Sequence, residues 1–186
     1  MSKGRNRGRI TARAELAMLA ASSMFAFTPN AEAATAVLGV SASVSANCTI
    51  SASALAFGRY EALLGNATQP LNAVGALSIA CTRGSAPKIT MDMGQYPNAG
   101  RRYMTATASS AGGLYYEIYQ PPSVTPGTPC SFPGMTPWGA SSTQTFVPGA
   151  PTGRHPRTYS VCGTIPAGQL APIGSYADTV VATVNF

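Results

Sequence analysis

The sequence has few of the residues from which catalytic and metal sites are built. It contains one histidine, His155, and only six acidic residues among 186. There is no Gly-x-Ser-x-Gly or Cys-x-x-Cys motif, and His155 lies in a stretch rich in Gly and Pro, with no motif of a catalytic triad around it. A zinc site would need four ligands drawn from scattered positions. We therefore predict that the chain is not an enzyme, with no catalytic residues, no bound metal and no small-molecule cofactor.

Long apolar runs are also scarce, and the clearest one lies near the N-terminus. A basic stretch from Lys3 to Arg13 precedes the apolar run from Leu16 to Phe27, and Ala31-Glu32-Ala33 follows. This order is typical of a secretory signal peptide, and the run is shorter than the roughly 20 residues that span a bilayer. We predict a signal peptide over residues 1–33; an N-terminal anchor or a cytosolic basic tail fits the pattern less well.

Removal of residues 1–33 changes the charge of the chain. Residues 34–186 keep seven basic and four acidic residues, a formal net charge of +3. These basic residues are scattered and do not alternate with aromatic residues, so the sequence does not favour nucleic-acid binding. They are Arg59, Arg83, Lys88, Arg101, Arg102, Arg154 and Arg157.

The four cysteines all lie after the predicted signal peptide. Their presence in an exported chain favours two disulfides, for which three pairings exist. Cys48 and Cys81 both fall on the inward phase of a predicted strand, while Cys162 falls on the outward phase of its own and could meet Cys130 in a surface loop. Phase and sequence proximity therefore favour Cys48–Cys81 and Cys130–Cys162, although the sequence leaves the other pairings open.

Helix signals are nearly absent from residues 34–186, whereas apolar and polar residues alternate in short segments between Gly, Pro and Ser. This pattern predicts an all-β sandwich or barrel. Strands are expected at 48–57, 77–81, 88–93, 114–120, 143–147, 158–165 and 179–186, and loops at 94–100, 121–137 and 148–156.

Trp138 has two interpretations. It either covers one end of the core, which we favour, or it is exposed in a surface-binding loop over residues 121–140.

Two terminal segments show the alternation that a strand with one apolar face requires. In residues 34–46 the apolar phase consists of Ala36, Leu38, Val40, Ala42 and Val44, an edge that a partner could bind. In the last segment the corresponding residues are Val180, Ala182, Val184 and Phe186.

The chain resembles the spore coat U family, which includes pilin subunits of the archaic, Csu-type chaperone/usher pathway. The resemblance covers about residues 36–186, and the order and spacing of its motifs make it specific. The matching motifs are Leu38-Gly39-Val40-Ser41-Ala42, Leu55-Ala56-Phe57-Gly58-Arg59-Tyr60, Leu77-Ser78-Ile79-Ala80-Cys81, Tyr116-Glu117-Ile118-Tyr119, Trp138-Gly139, Gly163-Thr164-Ile165-Pro166-Ala167-Gly168-Gln169 and the segment from Gly174 to Val184.

The resemblance implies an immunoglobulin-like sandwich that lacks its last strand. It implies a donor strand at residues 34–46 and a pilin domain at 47–186, whose last strand, with Val180 to Phe186, borders an apolar groove. A periplasmic chaperone would fill this groove until the donor strand of another subunit replaces it.

The expected partners are identical or related pilin subunits, the chaperone and an outer-membrane usher. The product would be a pilus or coat exported through the periplasm to the cell surface or secreted, contributing to adhesion or biofilm formation. The alternative is a monomeric secreted protein that binds a surface or forms a coat.

Overall fold

The computed structural model describes residues 32–106, 112–134 and 136–186, so most of the predicted signal peptide lies outside the described residues. The chain divides into two units, residues 1–41 and 42–186. In the first unit, residues 32–41 are exposed and have no regular secondary structure. No helix in the described ranges is long and apolar enough to cross a membrane.

The second unit consists of antiparallel β-strands, as predicted. The strands are β1 (Cys48–Ala52), β2 (Leu71–Cys81), β3 (Lys88–Met91), β4 (Arg102–Ala106), β5 (Gly113–Tyr119), β6 (Arg157–Ile165), β7 (Tyr176–Ala177) and β8 (Ala182–Asn185), with one short 3-10 turn at Gly65–Ala67. Six of them form a sheet in the order β1-β2-β6-β5-β4-β7, and β3 pairs with β8 in a second sheet. The core lies between the two sheets.

The strand phases read from the sequence give the core correctly. On β2, Leu77 and Ile79 are fully buried, and Tyr159 faces them from β6. Trp138 is also fully buried, and its Nε1 donates a hydrogen bond of 3.1 Å to the carbonyl of Ile89. The prediction that Trp138 covers the core is therefore confirmed, and the exposed interpretation is wrong.

Both favoured disulfide pairings are confirmed. Cys48 and Cys81 lie opposite each other on β1 and β2, and Cys130 joins Cys162 with 5.6 Å between their Cα atoms. Cys162 lies on the outward phase of β6, yet it is only 1% exposed. The loop that carries Cys130 runs along this face, since the Ser160 hydroxyl donates to its Thr128 carbonyl at 2.7 Å.

Three strand predictions need correction. Residues 143–147 do not form a strand, because a turn closes there: the Gln144 amide and the Thr145 hydroxyl both donate to the carbonyl of Ser141. Only Phe146 pairs, in an isolated bridge with Ile89. The strand predicted at 48–57 ends as β1 at Ala52, and the strand predicted at 179–186 is shortened to β8 at Ala182–Asn185. Neither β4 nor β7 was predicted.

Candidate functional site

An open apolar groove runs between the segment that follows β1 and the segment that leads into β8. Its inner part is a cavity of about 310 Å³. Apolar side chains from both sheets form its floor, and only Asp178 brings a charge to it. The lining includes Leu55, Phe57, Met91, Met104, Tyr116, Ile118, Val161, Tyr176, Asp178, Val180 and Ala182.

The groove continues into a wider recess of about 1030 Å³. The two parts share lining residues, among them Leu55, Phe57 and Met104. At the rim of the recess, Leu170 is 83% exposed and Ile173 is 103% exposed. Large apolar side chains in solvent around an apolar groove are typical of an interaction surface.

One wall of the groove crosses β6 where that strand has no side chain. A Cβ atom on Gly163 would lie 2.6 Å from Leu55 Cδ2 and 2.8 Å from Phe57 Cζ. A side chain at this position would displace the ends of Leu55 and Phe57, so the glycine allows the wall to pack close to the sheet. Tyr60 anchors the end of the wall, because its hydroxyl donates to the Pro166 carbonyl at 2.9 Å.

The opposite wall is fixed by Asp178. Its Oδ2 accepts a hydrogen bond of 2.6 Å from the Tyr116 hydroxyl, and its Oδ1 accepts from the amides of Gln95 and Thr179, both at 2.8 Å. Burial, together with the hydrogen bond to Asp178, raises the pKa of Tyr116 well above its usual range. These contacts place Asp178 at a corner of the chain, where it holds the last segment against β5.

The predicted last-strand residues contribute unequally to the groove. Val180 and Ala182 line the inner cavity, and Val184 packs half-buried against the core. Phe186 is 54% exposed and lines neither part. In the part of the chain that the structure describes, β8 pairs with β3 alone. The other edge of β8 therefore offers unpaired backbone groups.

The predicted donor-strand side chains lie in solvent. Leu38, Val40 and Val44 are between 85% and 87% exposed, and Ala36 and Ala42 are also exposed. Residues 32–47 have no regular secondary structure. The role of this segment stays a prediction.

No metal centre is visible in the described ranges, where no three His, Cys, Asp or Glu side chains come together.

The sequence predicted that Val180 and Ala182 border the groove, but it did not predict which residues form the floor of the groove. Met104 lies on the unpredicted strand β4, so no sequence signal placed it there.

This all-β fold is of the immunoglobulin-like class that pilin subunits adopt. The chain belongs to the spore coat protein U domain family, whose model matches residues 34–183. Protein U of Myxococcus xanthus is 37% identical over 183 residues, covering 91% of this chain and 95% of that protein. The resemblance inferred from the sequence is therefore confirmed.

The solved structures similar to the chain include the following two. The first is the pre-assembly complex of CsuC with the tip adhesion subunit CsuE, from the archaic chaperone-usher Csu pili of Acinetobacter baumannii. Its sequence is 23% identical to this chain, and the TM-score is 0.53. The match covers 77% of this chain but only 40% of that one. The second is HdaB, the minor tip subunit of the Escherichia coli Hda pilus, with 15% identity and a TM-score of 0.35 over 74% of this chain and 79% of that one.

Proposed function

We propose that the chain is an exported structural subunit of a cell-surface pilus or coat, and that it polymerises by donor-strand complementation. Residues 34–46 of one copy would fill the apolar groove of the next. The observation that carries the proposal is the groove itself, which runs beside the unpaired edge of β8. A strand added at this edge would complete the sheet and cover the groove.

The segment at 34–46 has suitable dimensions and chemistry for this role. Residues 36–44, extended at about 3.3 Å per residue, would span roughly 30 Å. Leu38, Val40 and Val44 lie on one phase, and burial of each would contribute about 1.5 to 3 kcal/mol. Ser41 and Ser43 lie on the opposite phase and would face solvent.

Strand donation from each copy to the next is heterologous and does not close, so it produces a filament. Before assembly a periplasmic chaperone would cover the groove, and an outer-membrane usher would export the subunits, either identical or related in sequence. The resulting surface filament or coat would contribute to adhesion or biofilm formation. The alternative of a monomeric binding module loses its main support, because Trp138 is buried and does not offer a surface contact.

Matched substitutions in residues 34–46 test the proposal. We would express residues 34–186 in the periplasm with the chaperone, and compare Val40→Asp with Ser41→Asp by size-exclusion chromatography and electron microscopy. The wild type and Ser41→Asp should form heat-stable filaments, since residue 41 faces away from the groove. Val40→Asp should remain bound to the chaperone, because a carboxylate cannot be buried unpaired.

A self-complemented chain provides a second test. Residues 34–46 would be joined by a short linker after Phe186 of a chain that begins at residue 47. This chain should be a stable monomer without the chaperone, whereas residues 47–186 alone should need it. If residues 47–186 alone are equally stable, or if Val40→Asp assembles normally, strand donation is wrong and the monomeric alternative becomes the better account.

A further inference from the structure

Three large apolar side chains lie in solvent around the outer recess of the groove. Leu63 belongs to the loop that precedes β2, whereas Leu170 and Ile173 belong to the loop between β6 and β7. All three line the recess, and they are between 83% and 103% exposed. We call them the apolar rim. Exposed apolar side chains grouped around one opening indicate a contact that the isolated chain does not make.

The rim and the segment that precedes β1 lie at opposite ends of the sandwich. The two loops that carry the rim meet where β2 begins, since the Gly168 amide donates to the Asn66 carbonyl at 2.9 Å. Where β2 ends, the Asn47 amide donates to Thr82 Oγ1 at 3.1 Å and the Asn47 carbonyl accepts from the Thr82 amide at 2.8 Å. Residues 34–46 therefore join the sandwich at the end away from the rim, which we call the linker end.

We propose that the apolar rim of one copy packs against the linker end of the copy that donates its strand to it. The inference rests on the proposed strand donation and adds a contact between two sandwiches outside the groove. Successive copies would then be held by two contacts, the donated strand and the rim.

The length of chain between the donor strand and its own sandwich supports this contact. Val44 is the last apolar residue of the donor phase, and Cys48, four residues later, begins β1. Four residues extend at most about 14 Å. A domain of this size has a radius of gyration of about 14 Å. The sandwich of the donor copy would therefore lie directly against the opening from which its strand emerges.

The direction of the donor strand determines which opening this is. A strand antiparallel to β8 would run from Asn185 toward Ala182, and its last residues would emerge at the recess, beside the rim. A parallel strand would emerge near Asn185, which pairs with Lys88 at the linker end. Every strand pair in the described part of the chain is antiparallel, and antiparallel pairing is slightly the more stable. Emergence at the rim is therefore favoured.

The charge of the linker end favours the same direction. Its basic residues lie in or beside the turn after β2 and before β6, and residues 82–88 and 153–157 contain no acidic residue. Parallel entry would bring two such ends together, where like charges repel. The basic residues are Arg83, Lys88, Arg154 and Arg157.

The end that carries the rim has the opposite balance of charge. Glu61 lies beside Leu63, and Asp92 and Asp178 lie beyond the ends of β3 and β8 that are farthest from the linker end. With Arg59 and Arg101 at this end, three acidic and two basic residues sum to −1. Antiparallel entry would thus bring a basic surface to an apolar rim with a slight excess of negative charge.

Filaments of residues 34–186 with one exposed side chain changed test the contact. Ile173→Ser changes the rim, and the matched control Val74→Ser changes an exposed residue in the middle of β2. Both variants should polymerise, because the donor strand and the groove floor are unchanged. On heating in detergent, Ile173→Ser filaments should dissociate about tenfold faster than the wild type, since an apolar side chain is no longer buried between copies. Val74→Ser should change the rate less than about twofold.

Cross-linking tests which surfaces meet. Ala86 is exposed in the turn at the linker end, and Leu63→Cys/Ala86→Cys filaments would be treated with a short bismaleimide. The double variant should give a ladder of covalent oligomers on a reducing gel, whereas Leu63→Cys alone and Ala86→Cys alone should give none.

Failure of this contact can be distinguished from failure of strand donation. If Val40→Asp assembles normally, strand donation is wrong and the rim contact is rejected with it. If the wild type polymerises through its donor strand but Ile173→Ser dissociates no faster than Val74→Ser, the rim contact alone is wrong. A ladder from Ala86→Cys alone would mean that linker ends meet. Ile173→Ser filaments with the wild-type dissociation rate but without adhesion to polystyrene would make the rim an adhesive surface instead.

Discussion

Arg102 should be one of the most important single residues for stability, although it does not line the groove. It is 1% exposed, and its guanidinium donates to Glu117 at 2.6 Å, twice to the Asp92 carbonyl at 3.0 and 2.7 Å, and to the Trp138 carbonyl at 2.5 Å. It thus ties β4 to the end of β3 and to the tryptophan that covers the core. Arg102→Ala would leave the Glu117 carboxylate and two carbonyls without this partner.

The expected cost of Arg102→Ala is about 3 to 5 kcal/mol, the usual result of removing one partner of a buried ion pair. For a domain of this size the melting temperature should fall by roughly 6 to 20 °C. Urea unfolding of residues 34–186 followed by circular dichroism measures the effect. The neighbouring Arg101 is exposed and only stacks over Tyr115, with its Cζ 4.8 Å from the ring centroid. Arg101→Ala should therefore cost about 1 kcal/mol or less.

The comparison has a clear refuting outcome. If Arg102→Ala costs less than about 1 kcal/mol, or no more than Arg101→Ala, the buried network does not stabilise the fold as the geometry indicates. The double variant with Glu117→Gln would then locate the error, because a coupled pair shows a non-additive loss. Additive losses would mean that the 2.6 Å ion pair contributes nothing of its own.

Three further predictions concern buried side chains and the second disulfide. Because the pKa of Tyr116 is raised in the folded state, its stabilising contribution is complete below a pH of about 10 and is lost as pH rises further. Tyr116→Phe should therefore reduce the fall in unfolding free energy between about pH 9 and 11, and an unchanged fall would contradict this. Replacement of Cys130 and Cys162 by serine, which opens a link across 32 positions, should cost about 3 to 4 kcal/mol in urea unfolding, whereas a loss below 1 kcal/mol would show that the loop is held by other contacts. Trp138, the one tryptophan, should have blue-shifted fluorescence that iodide quenches only after unfolding; strong quenching of the native chain would show that it is exposed.

The core could be predicted from the sequence because strand phase carries over directly to burial. Leu77 and Ile79 alternate with Ser78 and Ala80, and the same alternation in β6 places Tyr159 opposite them. The disulfide pairing followed from the same phases. Each of these features depends on a period of two along one strand.

Features that depend on several strands at once could not be predicted. β4 was missed because Arg102 occupies an inward position, where the alternation rule expects an apolar residue. The partners that make this burial possible lie on three other segments, at Asp92, Glu117 and Trp138. The width of the groove likewise depends on how the two sheets pack.

The same alternation produces different burial in β2 and in the last segment. Leu77 and Ile79 are fully buried, but Val180 and Ala182 remain half-exposed beside the groove and the unpaired edge of β8. Under the proposed mechanism, a donor strand would cover these side chains. Assembly would therefore remove apolar side chains of both the donor strand and the groove from water, and it would pair the backbone groups along the edge of β8. These two contributions together oppose the entropy that is lost when the donor segment becomes ordered.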